Sequence, residues 1–179
     1  MKENALLIAL FVLGLYSRDA ALAQETARVR IINTERQEIG QATLTDTPAG
    51  VVITLTLREK PKGLSPGPRA LHIHAVGKCE PPFKSAGDHY NPEKKHHGFL
   101  AKDGPHAGDL PNIHIPESGQ LTVEFFAPDL RLKEGKNRLM DEDGSAIVIH
   151  AQKDDYRTDP AGNAGDRIAC GVIESAKSK

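Results

Sequence analysis

The sequence contains no tryptophan, three tyrosines and five phenylalanines, so aromatic side chains make up only 4% of its 179 residues. With so few, no broad aromatic patch of the kind that anchors many tight protein interfaces announces itself. A surplus of either charge is missing too: 23 Lys and Arg face 24 Asp and Glu, a formal net charge of −1 at pH 7. That balance points away from nucleic acid and from an anionic membrane surface as the main partner. No segment carries a sustained apolar stripe at helical spacing, and there is no internal repeat or low-complexity tract. Cysteine is limited to Cys79 and Cys170. If they pair, the one available intramolecular bridge closes a loop of about ninety residues.

Long apolar runs are absent with one exception. Ala5 to Tyr16, "ALLIALFVLGLY", carries no charge. It falls short of the roughly 20 apolar residues that a membrane-spanning helix needs. Lys2 precedes it and the small-residue sequence "ALA" at 21–23 follows it. That is the layout of a secretory signal peptide cleaved after Ala23, which leaves 24–179 as a single domain without membrane attachment. The charges removed (Lys2, Glu3, Arg18 and Asp19) cancel, so the mature chain keeps its near-neutral balance. Export also permits the disulfide.

The remaining pattern is β. "ARVRI" sets Val29 and Ile31 on one face, and "VVITLTL" alternates Val51, Ile53, Leu55 and Leu57 with Thr54 and Thr56. "QLTVEFF" directs Leu121, Val123 and Phe125 inward, and "AIVIH" aligns Ala146, Val148 and His150. Turn signals separate these runs, among them "TPAG", "PESG" and "DEDG". Short alternating strands of this kind predict an all-β antiparallel barrel or sandwich. Between Gly77 and about Gly119 the sequence reads as one long loop, and a loop of that length needs a functional reason.

Histidine supplies the reason. Seven of the eight lie between His72 and His114. In "LHIHAVGKC", His72 and His74 stand two apart and share one face of a strand. "HAGD" sets His106 and Asp109 three apart. Imidazoles suit copper and zinc, and a carboxylate suits zinc.

The motifs "LHIHAVGKC", "SAGDHYNP", "KKHHG", "HAGDLPN", "GSAIVIHAQKDDY" and "GNAGDRIACGVI" occur in that order. Together they resemble the copper/zinc superoxide dismutases of the exported bacterial kind, over about Leu71 to Ile173. The resemblance implies a Greek-key β-barrel with long metal-binding loops, periplasmic or else extracellular, acting on superoxide. It implies one copper per subunit on His72, His74, His89 and His150, and one zinc on His89, His96, His106 and Asp109. His89 then bridges the two metals. Asp154 joins a copper histidine to a zinc histidine, Arg167 orients the anion, and Cys79 pairs with Cys170. Counting back from Gly98 selects His96 and leaves His97 exposed on a variable position; His114 matches no ligand position. Asp88 stands where the family usually has Gly, at a position expected to favour a positive φ. Ala75 and Phe99 replace a common Glu and Pro. Steering charges are assigned to Lys94, Lys95 or Lys102. A homodimer is left open. The competing readings are a non-catalytic periplasmic copper-binding protein on the same scaffold and a zinc hydrolase.

Overall fold

The computed structural model describes residues 24–176, so the signal segment expected over 1–23 lies outside the described residues. Eight strands follow in order: β1 Thr26–Asn33, β2 Glu38–Thr47, β3 Gly50–Leu57, β4 Gly67–His74, β5 Asp109–Ile115, β6 Leu121–Ala127, β7 Ala146–His150 and β8 Arg167–Ser175. They form one antiparallel sheet in the order β5-β4-β7-β8-β1-β2-β3-β6. Its two ends, β5 and β6, share the walls of one cleft, so the sheet curls nearly shut into a barrel. The connections from β3 to β4 and from β6 to β7 pass over intervening strands, which is a Greek-key path.

Alternation sets the barrel interior. Val51, Ile53, Leu55 and Leu57 are fully buried in β3, while Val52, Thr54 and Thr56 between them are only half-buried. β6 pairs along this whole strand, from Val51↔Ala127 to Leu57↔Leu121, and its own outward residues Thr122, Glu124 and Phe126 are exposed. β4 and β7 differ, because each is buried on both faces. Leu71, Ile73, Ile147 and Ile149 point into the main core. Ala146 and Val148 point the other way, into a second small core with Phe83, Ala86 and Cys170. His72, His74 and His150 share that outer side of the barrel. A buried two-sided strand needs a cover, and the long segments 75–108 and 151–166 supply it.

The region expected to be one long loop contains the 3-10 turn Lys84–Ala86 and all of β5. "DLPNIHI" carries a proline at 111 and polar residues at 109, 112 and 114, which break the period-two pattern at its start and hid it as a strand. It pairs with β4 through Leu71↔Leu110 and His72↔Asp109, and Ile113 and Ile115 enter the core.

Cys79 and Cys170 form a disulfide across a sequence separation of 91 residues. The bridge fastens the covering segment 75–90 to β8. Chain-entropy reasoning gives a stabilisation of about 4–5 kcal/mol for a loop of this length. Replacing both cysteines with serine should therefore lower the denaturant midpoint of the oxidised protein markedly and weaken metal retention. An unchanged midpoint and metal content would show that the cover is held without the bridge.

Candidate metal centre

Strand register brings the site together. His72 pairs with Asp109 on one side and Val148 on the other. His150 pairs with Arg167 across a β-bulge that follows Ile149. His74 forms a single antiparallel bridge with His89. Three backbone hydrogen bonds tie the residues beside these: Tyr90 N–H to Ile73 O, Gly108 N–H to Tyr90 O and Ile73 N–H to Gly108 O, each 2.8 Å. The loop side chains are thus fixed to the barrel by main-chain bonds one residue away.

Two sets of donor atoms result. Ligand atoms of His72, His74, His89 and His150 lie within 4.8 Å of one another, and all four residues are buried. His74 Nδ1 donates to Gly87 O (2.9 Å) and His150 Nδ1 to Gly165 O (3.2 Å), which turns both Nε2 atoms inward, 3.4 Å apart. His72 Nε2 engages Asp154 Oδ2 at 2.7 Å. That leaves His72 Nδ1 and His89 Nε2 buried without any hydrogen-bond partner. Two orphaned imidazole nitrogens facing two inward Nε2 atoms fit a metal that accepts four nitrogens.

The second set is gathered by Asp109. Its Oδ1 lies 3.0 Å from His89 Nδ1, 3.1 Å from His97 Nδ1 and 3.4 Å from His106 Nδ1, and His89 Nδ1 and His106 Nδ1 are 3.5 Å apart. A tetrahedral zinc with bonds of about 2.0–2.1 Å has ligand atoms about 3.3 Å apart, so these edges fit it. Asp109 Oδ2 is held by the N–H groups of Gly98 (2.9 Å) and His106 (3.0 Å). Asp154 connects the sets: Oδ2 meets His72 and Oδ1 meets His97 Nε2 at 2.9 Å. Asn112 fixes the Asp154 backbone by accepting its N–H and donating to its carbonyl. Gly162 is required beside this pair, since its φ is +64 and a Cβ there would collide with the Asp154 carboxylate.

The zinc-side expectation needs one correction. His97, expected to be exposed, is fully buried between Asp109 and Asp154. His96, expected among the ligands, is exposed and turned away, with its ring on Asp159. Asp159 Oδ1 also accepts the His97 N–H at 2.6 Å, so it holds the turn that separates the two histidines. The physical cause is Gly98. Its φ of +94 and its N–H bond to Asp109 commit the residue directly before it to the site, not the residue two before. His114 is exposed on β5. Asp88 has no positive φ; that conformation falls on Gly87, at φ 72. Lys94, Lys95 and Lys102 are exposed on the zinc-side loop, and Lys95 pairs with Glu93. The cation the sequence reading missed is Lys84, which lines a hollow with Arg167. Arg167 is half-buried and donates from Nη1 to Phe83 O at 2.9 Å.

Burial governs the protonation of these groups. It pushes His74 down to about 2 and His150 to about 3, helped by neighbouring imidazoles; it pushes His89 to about 4, against the hydrogen bond to Asp109. Burial opposes charge on His97 as well, but bonds to Asp109 and Asp154 win and raise it to about 9. Asp109 and Asp154 stay ionised well below the usual carboxylate range: burial works against this, and the surrounding histidines outweigh it.

The family model described as copper/zinc superoxide dismutase (SODC) matches residues 38–173. Superoxide dismutase (Cu-Zn) 1 of Aquifex aeolicus is 49% identical over 157 residues, covering 86% of this chain and 91% of the relative. The Cu-Zn enzyme of Caulobacter vibrioides is 45% identical over 142 residues, covering 77% and 79%. Among solved structures, a double mutant of a superoxide dismutase-like protein from Bacillus subtilis superposes with a TM-score of 0.76 at 40% identity, covering 81% of this chain and 95% of that one.

Two outcomes are expected. His97→Ala should lower zinc affinity by at least the roughly 10–100-fold seen when outer partners of a metal site are removed, and His96→Ala should leave it unchanged. Competition with a chelator reads both; zinc loss in His96→Ala alone would reverse the assignment. In the metal-free protein, His74, His89 and His150 have folded pKa values below 6.5, so their stability is lost as pH falls below 6.5. His97 has the opposite sign: its contribution is full below 6.5 and lost as pH rises through about 9. Denaturant midpoints should therefore peak near pH 6.5 and fall on both sides, whereas a flat profile contradicts the burial account.

Proposed function

The chain belongs to the copper/zinc superoxide dismutase family, and from that membership we propose how its own residues divide the work of dismutation. The activity is that of an oxidoreductase: two superoxide ions and two protons become dioxygen and hydrogen peroxide, with copper and zinc as the metals. Copper supplies the one-electron redox couple, and zinc, which has none, supplies a fixed charge and a rigid corner. His72, His74, His89 and His150 would hold copper; His89, His97, His106 and Asp109 would hold zinc. The observation that carries this assignment is the pair of buried, partnerless nitrogens, His72 Nδ1 and His89 Nε2, at the centre of one set.

His89 serves both sets, Nε2 toward the first and Nδ1 toward the second. Its Nε2 is the atom at which a proton can be held and passed to the departing peroxide. Burial disfavours a lasting imidazolium there, so the proton is easily given up. Asp154 fixes the tautomers of His72 and His97 through their Nε2 atoms. Arg167 presents a permanent cation that orients superoxide, and the Phe83 carbonyl keeps its guanidinium in place. Phe83 itself lies on the segment anchored by the Cys79–Cys170 bridge.

The reading as a copper-binding protein without catalysis would be favoured by a missing ligand or a missing arginine, and neither is missing here. We further infer that residues 1–23 are a secretory signal peptide and that 24–179 works in the periplasm. The disulfide supports an oxidising compartment.

Superoxide decay followed by pulse radiolysis tests the function. The protein loaded with copper and zinc should show fast, metal-dependent decay, and the zinc-only protein should show none. Arg167→Ala should lower the second-order rate by about tenfold or more with copper content unchanged. Tight copper binding without decay would overturn the reading.

A further inference from the structure

Arg167 is not the only charge at the mouth of the site. A hollow of about 810 Å³ carries Lys84, Asp88, Asp166 and Arg167 on its wall. Gly87 and Gly165 line it too, and their carbonyls are the acceptors for His74 and His150. The hollow therefore lies one backbone layer from two of the copper-side imidazoles. Its two cations and two carboxylates sum to zero. A cleft with walls of one sign focuses its field and gathers an oppositely charged ligand, and a balanced cleft does not.

The carboxylates are free to act on what passes. Asp88 and Asp166 are exposed, and the salt bridges of the described residues involve neither. Asp88 faces Arg167 closely enough to favour its charged form against the effect of burial. Asp166 directly precedes Arg167, and its backbone carbonyl accepts the Ala151 N–H at 2.8 Å, which fixes the residue on the rim.

We propose that Asp88 and Asp166 determine how strongly the site attracts anions, by cancelling Lys84 and Arg167 across the hollow that lies beside the copper-side histidines. The proposal rests on the dismutase reading of that site. Its consequence is an enzyme whose capture of superoxide depends little on salt, because a neutral mouth has little long-range field to screen.

The test compares the copper- and zinc-loaded wild type with Asp88→Asn, Asp166→Asn, their double variant and Lys84→Gln. Superoxide decay and azide affinity, read from the copper absorption band, are measured at about 0.01 M and about 0.3 M ionic strength, where screening is weak and strong. At low salt the double variant should react about three- to tenfold faster than wild type and bind azide correspondingly tighter. Both gains should shrink at high salt, and Lys84→Gln should shift both quantities the other way. Copper-dependent decay in every protein with unchanged rates, salt slopes and azide affinities would overturn the proposal and leave the dismutase reading intact. Azide affinities that follow the charge changes in proteins that never decompose superoxide would uphold the proposal for anions and overturn the dismutase reading.

Discussion

Burying six imidazoles and two carboxylates together is the constraint on which this structure depends. His72, His74, His89, His97, His106 and His150 lie out of water with Asp109 and Asp154. An unpaired polar group in such surroundings costs about 1–3 kcal/mol, and an unpaired charge costs more. The nitrogens are therefore accounted for one by one. Backbone carbonyls take Nδ1 of His74 and His150, and Asp154 takes Nε2 of His72 and His97. The nitrogens left over face one another, which is the arrangement a metal resolves. The hydrogen bonds that make burial tolerable also set each ring's tautomer and direction.

The barrel makes that arrangement rigid. β4 and β7 face the core with isoleucine and leucine and present histidine on the other side, so the same strands that stabilise the fold aim the ligands. The covering segments have little regular structure of their own. They are fastened by the bridge from Cys79 to Cys170, by the ladder residues around Ile73, Tyr90 and Gly108, and by the side chain of Asn112 on Asp154. A metal held by the second donor set would add a further tie between elements distant in sequence, because His89 and His97 belong to the cover and Asp109 to β5.

Much of this was legible in the sequence. Period-two alternation identified β1, β3, β6 and β7, and the pair at His72 and His74 marked one face of β4. β5 was not legible, because its proline and polar residues mimic a loop and its identity as a strand comes from pairing with β4. The choice between His96 and His97 was also lost. Counting from a motif treats adjacent histidines as equivalent apart from position, whereas the structure separates them through a positive φ at Gly98, an amide bond to Asp109 and the grip of Asp159 on the turn. Charge around the mouth failed for a related reason: Lys84 and Asp166 are 82 positions apart and meet only once the disulfide-bound segment folds over β8.

We propose that one histidine, His89, is shared by both metal sites, with Nε2 toward the first donor set and Nδ1 toward the second. Electron paramagnetic resonance of the protein loaded with Cu(II) at both sites tests it most directly. A shared imidazole should couple the two spins, so the signal per copper falls far below that of protein loaded with copper and zinc, and His89→Gln should restore it. Two independent, full-strength copper signals in the unaltered protein would contradict a shared ligand.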